Sequence, residues 1–420
     1  MKKDQDRRIL ILGAGPQQLK LIARARARGA FVVVLDRDKN APGAPLASRH
    51  VECDMLDIPK ATAAAKEYNV DSIATGGSDQ VMVTVAAVAA ACGLPCHLSQ
   101  AAARRATNKI AMTEAFLREG VPVGGRVFVG EHFDEKALEP LREPLVVKPA
   151  DAQGQIGTSL VARRADVTPA VELALRHSRS KTAAVEEFLT GPEIAAGAWL
   201  DRGRLHLLAV TDRVTYNPPP ALGISLQHIF PGRTPAGDYE EIASILTRVA
   251  AAFGVTDGPL HAQMIRSQDG LRVLEVGCRY GGANEVDLYR QVLGVDLLDC
   301  VLDLAFNHPE PFSFDLRRDA FQRHGLITLV VAQEGVLARH GGWEPLLRKG
   351  LITDGGWYRK DGFRQRRITD AYGRIGWYLV TGRSREEILQ KAAEAYRLLR
   401  VSDETGQNLV FWPESRYLNE

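Results

Sequence analysis

The sequence is poor in cysteine and in net charge, and each shortage excludes a class of protein. Its 420 residues include five cysteines, an odd number that is scattered along the chain, so we exclude a disulfide framework. The net charge is +2, so no broad basic field exists for nucleic acid or for an anionic membrane surface. We therefore expect a cytoplasmic globular protein that has neither a nucleic-acid partner nor a membrane partner.

The sequence also lacks a long hydrophobic run. Residues 81–96 (VMVTVAAVAAACGLPC) are rich in alanine and predict a buried helix, because a membrane-spanning helix needs about 20 apolar residues. The apolar run after Arg7 and Arg8 is a few residues long and ends in glycines. It predicts a first β-strand and not a secretion signal.

Strand and helix patterns alternate in the first part of the chain. Residues 8–15 (RILILGAG) predict a strand that enters a glycine turn, and a predicted helix follows and ends at Gly29. Residues 31–36 predict a second strand of the same kind. This alternation indicates a parallel sheet whose ligands lie at the carboxyl ends of the strands.

The glycine turn raises the alternative of a dinucleotide site. Gly13, Gly15 and Asp36 match parts of that fingerprint. Its third glycine is missing, because Gln18 stands where the helix must pack closely against the strand. We therefore expect no NAD binding.

Changes in pattern divide the chain into three regions. Residues 1–105 carry the strand–helix alternation, residues 106–306 mix short strands with helices, and residues 307–420 begin with the proline-rich breaker NHPEPFSF. We predict an α/β domain followed by two α+β domains with these boundaries.

A lysine stands where an apolar strand meets a glycine-rich loop. In PLVVKPADAQGQIG, residues 144–157, Lys148 ends the strand and the loop follows directly. An ammonium group near a core costs free energy unless an anion meets it. The loop offers backbone N–H groups that suit phosphate. The two features together predict a site for a nucleoside triphosphate.

Three further segments carry charged residues in a fixed order around this loop. ATNKIAMTEAFLREG places Lys109 at the start of a predicted helix. AAVEEFLTGPEIAAGAWL places Glu186 and Glu193 seven residues apart. HAQMIRSQDGLRVLEVGCRYGG ends in Glu275 and Arg279.

The order of these segments resembles the ATP-grasp superfamily over residues 1 to about 400. The closest resemblance is to its carboxylate–amine ligases, including amino-acid ligases, and N5-carboxyaminoimidazole ribonucleotide synthase is similar at a greater distance. LDRDKNAPGAPLASRHVECDMLD and TGGSDQVMVTVAAVAAACGLP are similar to the pre-ATP-grasp domain of those ligases. The resemblance implies a Rossmann-like N-terminal domain, an ATP-grasp domain with a lid subdomain over about residues 120–190, and a C-terminal α+β domain.

The resemblance implies an ATP site and a role for each residue in it. Lys109 and Lys148 would contact the α- and β-phosphate oxygens, where a rotatable point charge is sufficient. Glu186 would meet the adenine amino group, and Glu193 the ribose hydroxyls. The loop would close over the phosphates, since glycine allows tight backbone approach. The implied ATP-binding residues are Lys109, Lys148, Asp151, Gly154, Gly157, Glu186, Glu187, Phe188, Leu189 and Glu193.

The last segment predicts a β-hairpin whose turn centres on Asp269. In that register Gln263 opposes Glu275 and His261 opposes Gly277, with all four on one face. The resemblance implies that Glu275 and Gln263 bind Mg²⁺, with Mn²⁺ as the alternative. Relatives usually carry a carboxylate and an asparagine at the Gln263 and Gly277 positions. We therefore expect one firm Mg²⁺, a weak or absent second one, and open space beside Gly277 for His261.

The resemblance implies an ATP-dependent ligase that joins a small-molecule carboxylate to an amine through an acyl phosphate, and a homodimer. Arg279 would stabilise the acyl phosphate, which planar donors suit. Arg213 would meet the γ-phosphate, unless it forms a surface ion pair instead. Two other functions stay open. One is carboxyphosphate chemistry of the biotin-independent carboxylase type, with bicarbonate as the acid, and the other is a low-turnover ATP-binding regulatory or assembly protein.

Overall fold

The computed structural model describes residues 4–219, 221–314, 316 and 323–419. No helix in these ranges is long and apolar enough to cross a membrane. Short 3-10 turns occur at Asp4–Asp6, Ala44–Leu46, Glu135–Leu138, Arg164–Asp166, Ala371–Gly373 and Ser415–Tyr417, and a π-helical turn occurs at Tyr289–Leu293.

The N-terminal region is an α/β unit built on parallel strands. Its elements are β1 (Arg8–Leu12), α1 (Leu19–Ala27), β2 (Phe31–Asp36), β3 (Arg49–Glu52), α2 (Ile58–Glu67), β4 (Ser72–Ala74), α3 (Val81–Cys92), α4 (Gln100–Thr107) and α5 (Lys109–Arg118). The sheet order is β3-β2-β1-β4. Ile9 and Ile11 pack in the core that contains α1, whereas Leu10 and Leu12 pack against α2 and α3. Burial on both faces is typical of a parallel sheet, so the predicted parallel sheet is confirmed.

A small antiparallel sheet lies within the range predicted for the lid. Its elements are β5 (Arg126–Val129), β6 (Leu145–Pro149), β7 (Ser159–Val161), α6 (Thr168–His177) and β8 (Ala183–Glu187). The strand order is β5-β8-β6-β7, and α6 packs on the sheet through Ala170, Val171 and Ala174. The glycine-rich loop is therefore the connection between β6 and β7.

The rest of the chain builds one large antiparallel sheet, two separate two-stranded sheets and the helices that pack around them. The elements are β9 (Glu193–Asp201), β10 (Arg204–Tyr216), β11 (Ile224–Phe230), α7 (Ala236–Phe253), β12 (Gly258–Ser267), β13 (Gly270–Gly277), α8 (Glu285–Leu288), α9 (Leu297–Ala305), β14 (His324–Val331), β15 (Gly335–Leu337), β16 (Arg339–His340), α10 (Glu344–Arg348), β17 (Asp354–Trp357), β18 (Phe363–Gln365), β19 (Arg374–Gly382), α11 (Arg385–Leu398), β20 (Val401–Ser402) and β21 (Leu418–Asn419). The strand order is β13-β12-β9-β10-β11-β14-β19-β17, with β21 beside β10.

This sheet crosses the boundary predicted at residue 306. β14 of the C-terminal region pairs with β11, and His228 faces Ile327 in that ladder. The predicted mixed α/β and α+β architecture is confirmed, but the last two regions share a sheet and its core. The division into three separate domains stays a proposal.

The shared sheet predicts that the central and C-terminal regions unfold together. Ile327 is fully buried and belongs to the same core cluster as Trp199 and Leu379. Ile327→Ala is expected to lower the free energy of unfolding by about 2–5 kcal/mol, since it leaves a cavity. Denaturant unfolding followed by tryptophan fluorescence and circular dichroism should show the same displaced transition in both signals.

The control for this prediction is Leu117→Ala, because Leu117 is 66% exposed and its removal leaves no cavity. If Ile327→Ala splits the unfolding into two transitions and displaces only one of them, the two regions are independent units.

Candidate functional site

Five charged side chains meet between the lid sheet and the β12–β13 hairpin. Lys148 Nζ lies 2.8 Å from Glu186 Oε2, and Arg126 Nη1 lies 3.5 Å from Glu186 Oε1. Lys109 Nζ lies 3.5 Å from Glu275 Oε1. Three cations thus face two carboxylates, and the cluster carries one positive charge in excess. Such a cluster favours an anionic ligand.

Burial shifts the pKa of Lys148 and also that of Glu186, the two residues of the central ion pair of this cluster. It lowers the pKa of Lys148, against the opposing effect of Glu186, and the like charges of Lys109 and Arg126 lower it further. Burial by itself raises the pKa of Glu186, but Arg126 and Lys148 outweigh it, so the pKa is lowered and the carboxylate is ionised. A bound polyphosphate would stabilise the charged form of Lys148.

A cavity of about 250 Å³ opens beside this cluster. Its apolar wall includes Val146, Ile265 and Leu274, which suits the flat face of a base. The predicted ATP-binding residues that line it are Lys109, Lys148, Gly154, Glu186, Glu187, Phe188, Leu189 and Glu193. We call it the nucleotide cavity.

Asp151 and Gly157 are not among the described residues that line this cavity. Asp151 accepts hydrogen bonds from Ser178 Oγ at 2.9 Å and from the N–H of Ser180 at 2.7 Å. Its carboxylate therefore orders the chain after α6, and the role of Asp151 in ATP binding stays a prediction. A side chain at Gly157 would meet Pro149 at 3.1 Å, so this glycine serves the packing of the loop.

The glycine-rich loop is fastened to the other two regions. The Gln153 side chain accepts a hydrogen bond from the N–H of Asp79 at 3.0 Å and donates one to Ser78 Oγ at 3.2 Å. The carbonyl of Gly154 accepts a hydrogen bond from the N–H of Ala371 at 2.9 Å. These contacts come from segments far away in sequence, and they hold the loop over the cavity.

Arg213 is buried, which excludes the surface position considered for it. Its guanidinium forms an ion pair with Glu193 and donates to the carbonyl of Gly223 at 2.9 Å. Thr215 Oγ1 donates to the other Glu193 oxygen at 3.1 Å. Arg213 and Glu193 therefore form one unit at the wall of the nucleotide cavity.

The hairpin has the predicted pairs, although its turn is tighter than predicted. Gln263 faces Glu275 and His261 faces Gly277, so both predicted pairs are confirmed. The ladder begins with Ser267 opposite Gly270, and a bulge at Leu274 shifts the register by one residue. The predicted pairs therefore form, because the one-residue shift at the bulge offsets the one-residue error in the predicted position of the turn.

Glu275 and Gln263 line the nucleotide cavity from the hairpin. Burial by itself raises the pKa of Glu275, but Lys109, Lys148 and Arg279 lower it, and the net effect is an ionised carboxylate. In the described residues, no three His, Cys, Asp or Glu side chains are placed to hold a metal by themselves. One carboxylate and one amide oxygen fit a Mg²⁺ that takes its other ligands from water and phosphate.

A second cavity of about 320 Å³ adjoins the first. The two share residues 153–155, Arg213, Gln263 and Glu275 in their linings. The rest of its lining comes from all three regions and includes Gln17, Asp36, Ser78, Asp79, His228, His261, Arg279, Glu285, Tyr358, Arg359, Tyr372 and Arg374. We call it the substrate cavity, because a molecule in it would reach the phosphate end of the nucleotide cavity.

Two neutral histidines and a buried glutamate lie in the substrate cavity. His228 Nε2 and His261 Nε2 each lie 3.8 Å from Glu285 Oε1. Burial lowers the pKa of His228 to about 4 and that of His261 to about 3, although Glu285 opposes both shifts. The sequence singled out neither His228 nor Glu285, because their spacing along the chain carries no signal.

The space beside Gly277 is filled by a carboxylate of the N-terminal region. A Cβ on Gly277 would lie 2.2 Å from Asp79 Oδ1, and Asp79 Oδ2 lies 2.6 Å from Arg279 Nη2. This corrects the expectation of open space for His261. The absence of a side chain at position 277 is what lets Asp79 reach Arg279.

The glycine turn after β1 uses its own side chains to satisfy its backbone. Asp36 accepts a hydrogen bond from the N–H of Ala14 at 2.8 Å, and Gln18 donates one to the carbonyl of Gly76 at 2.5 Å. A Cβ on Gly13 would lie 2.9 Å from Gln18 Oε1. The absence of NAD binding stays a prediction, and this geometry supports it.

Comparison with known families places two domains on this chain. The ATP-grasp domain profile matches residues 141–287, which include the glycine-rich loop and the hairpin. The profile of L-amino acid ligase C-terminal domain 2 matches residues 327–404. The L-arginine-specific L-amino acid ligase of Bacillus subtilis is 26% identical over 207 residues, which are 47% of this chain and 49% of that protein. The chain spans between 36% and 60% of the length of the curated relatives that match first.

Solved structures of similar fold cover nearly the whole chain. The L-amino acid ligase from Bacillus licheniformis has a TM-score of 0.80 at 20% identity, over 96% of this chain and 100% of that one. The N5-carboxyaminoimidazole ribonucleotide synthetase from Thermotoga maritima has a TM-score of 0.72 at 18% identity, over 95% and 100%. Both likenesses concern the fold. The two domain matches show that the chain carries an ATP-grasp domain and an L-amino acid ligase C-terminal domain.

Proposed function

We propose that the protein is an ATP-dependent ligase that joins a carboxylate to an amine and releases ADP and phosphate. The observation that carries this proposal is the wall shared by the two cavities. Arg213, Gln263 and Glu275 line both, so the terminal phosphate and a substrate in the second cavity would meet there. The C-terminal domain match supports amino acids as the substrates.

In the first step, the substrate carboxylate attacks the γ-phosphorus of ATP. The bond from this phosphorus to the β–γ bridging oxygen breaks, and the products are an acyl phosphate and ADP. Lys109 and Lys148 hold the α- and β-phosphates, while Arg213 and Arg279 meet the transferred group, where fixed charges stabilise the developing negative charge. Mg²⁺ held by Glu275 and Gln263 would neutralise the phosphate oxygens.

In the second step, the amine attacks the acyl carbon and the bond to phosphate oxygen breaks. The amine loses a proton, which the departing phosphate accepts, because the lowered pKa values of His228 and His261 make these side chains weak bases. The loop held by Gln153 and Gly154 excludes water, which would otherwise hydrolyse the acyl phosphate.

A coupled ADP-release assay tests this function against its two alternatives. Amino acids, amines and bicarbonate are supplied singly and in pairs, and products are identified by mass spectrometry. ADP release that requires a carboxylate together with an amine, with an amide as product, supports the ligase. Release with bicarbonate and an amine supports carboxyphosphate chemistry, and ATP binding without release under any condition supports a low-turnover binding protein.

The charge cluster predicts a specific effect of Lys148→Ala. The variant is expected to bind Mg·ATP roughly 10- to 100-fold more weakly, which corresponds to the loss of a charge-assisted hydrogen bond. The melting temperature should change little, because Glu186 keeps Arg126 as a partner. Isothermal titration with ATP and with NAD measures the affinities, and the wild type should bind only ATP.

The control is Lys136→Ala, since Lys136 is exposed on a lid turn away from the cavity lining. If Lys148→Ala keeps wild-type affinity for ATP and melts at a lower temperature, Lys148 is structural.

The hairpin predicts opposite effects for its two metal-site residues. Glu275→Gln should abolish ADP release, because it removes the single carboxylate of the donor set. Gln263→Glu should be tolerated and should lower the Mg²⁺ concentration required, because it adds a charge beside Glu275. Magnesium titrations of ADP release measure both. Normal turnover by Glu275→Gln would show that the hairpin is not the metal site.

Gly277→Asn, which introduces the residue usual in relatives, is predicted to reduce activity. The new side chain would displace Asp79 and release Arg279, and misplacement of a catalytic group by about 1 Å can cost roughly 100-fold in rate. The double variant Asp79→Ala/Gly277→Asn should be no more active than the single variant, because Arg279 lacks its partner in both. Turnover numbers of the two variants measure the effect, and a fully active single variant would refute the role given to Asp79.

A further inference from the structure

Four arginines line the substrate cavity, and two of them lack an acidic partner. Arg213 pairs with Glu193 and Arg279 pairs with Asp79. Arg359 and Arg374 also line the cavity, but within the part of the chain that the structure describes they form no ion pair. The positive charge still available to a ligand therefore lies on the C-terminal side of the cavity.

Backbone carbonyls hold these two guanidinium groups in place. Arg374 Nε donates to the carbonyl of Ala371 at 2.7 Å, and Arg359 Nη2 donates to the carbonyl of Tyr372 at 2.6 Å. The Arg359 guanidinium also lies 4.5 Å from the centre of the Phe363 ring. Both groups are thus fixed by a single turn, and each keeps N–H donors that no carboxylate of the described residues accepts.

Among the described residues two further carboxylates act on these arginines, and both are already engaged. Asp370 acts on Arg359 and accepts a hydrogen bond from the N–H of Tyr372 at 2.8 Å. Glu285 accepts a hydrogen bond from the N–H of Ala283 at 2.7 Å and lies near His228 and His261. Burial lowers the pKa of Arg374, and although Tyr358 and Glu285 act against it, the shift remains downward. The two arginines are therefore fixed, partly desolvated cations that a bound anion would stabilise.

We propose that Arg359 and Arg374 form an anion subsite that holds the carboxylate of the amine-donating substrate. This inference rests on the proposed ligase function. The carboxylate to be phosphorylated must lie at the wall shared with the nucleotide cavity, which neither arginine lines. The anion at Arg359 and Arg374 is therefore a second one, and a planar carboxylate suits two guanidinium groups. The amine donor is accordingly an amino acid and not ammonia or an uncharged amine.

The test compares each amino acid with its carboxamide as the amine donor. With ATP and the acid substrate saturating, the wild type should use the amino acid with a KM roughly 10- to 100-fold below that of the carboxamide, the range expected for charge-assisted hydrogen bonds. Arg359→Gln and Arg374→Gln should raise the KM for the amino acid to that of the carboxamide. The KM values for ATP, for the acid substrate and for the carboxamide should not change.

Two further variants separate this role from a structural one. Arg364→Gln is the matched control, because Arg364 is exposed on β18 beside Phe363 and should behave as the wild type. Arg374→Lys keeps the charge and should retain part of the preference for the amino acid. This conservative variant keeps the test valid if Arg374→Gln lowers the melting temperature.

Several outcomes would overturn the subsite while leaving the ligase function intact. One is unchanged discrimination in the Arg359 and Arg374 variants, and another is a raised KM for the acid substrate alone. A lower KM for an aminoalkyl phosphate than for the amino acid would assign the subsite to phosphate. If the wild type releases no ADP with any pair, the ligase function fails. In that case, the amino acid and its carboxamide are titrated into the wild type and Arg374→Gln with a non-hydrolysable ATP analogue bound. This titration still decides whether the subsite binds the carboxylate.

Discussion

The uncompensated positive charge between the lid and the hairpin is the constraint on which the rest of the site depends. Lys109, Lys148 and Arg126 face two carboxylates, and burial makes each cation more costly than it would be in water. Hydrogen bonds and ion pairs within the cluster reduce this cost without removing it. A polyphosphate would complete the charge balance, so its binding would stabilise the contact between the lid sheet and the hairpin.

The large sheet explains how three regions build one substrate cavity. β14, β19 and β17 extend the sheet that begins with the hairpin, so the turn at Ala371–Gly373 is brought to the glycine-rich loop. On the opposite side, Asp79 reaches Arg279 because Gly277 has no side chain. A molecule in this cavity would therefore be surrounded by groups whose relative positions the sheet and the contacts between the regions determine. This arrangement suits chemistry in which water must be excluded from an acyl phosphate.

The sequence alone determined the features that depend on local periodicity and on composition. Alternation along two strands predicted that Gln263 faces Glu275, and a bulge at Leu274 preserved this pairing although the predicted turn was misplaced. The parallel sheet and the position of Lys148 at a strand end also follow from neighbouring residues. The spacing of apolar residues along a strand or helix indicates which of its faces is buried, so these predictions needed no knowledge of distant contacts.

Only the tertiary structure decided which side chains share a cavity. The Asp151 carboxylate binds Ser178 and Ser180 after α6, and no local pattern in the sequence connects Asp151 to either serine. Asp79 and Arg374 belong to different regions of the chain and reach the same cavity through sheet extension and the packing of these regions. Such contacts depend on how many helices and strands pack together, and the residue types involved are equally common on solvated surfaces. The charged residues that line the nucleotide cavity were therefore predictable from sequence, whereas most of those in the second cavity required the fold.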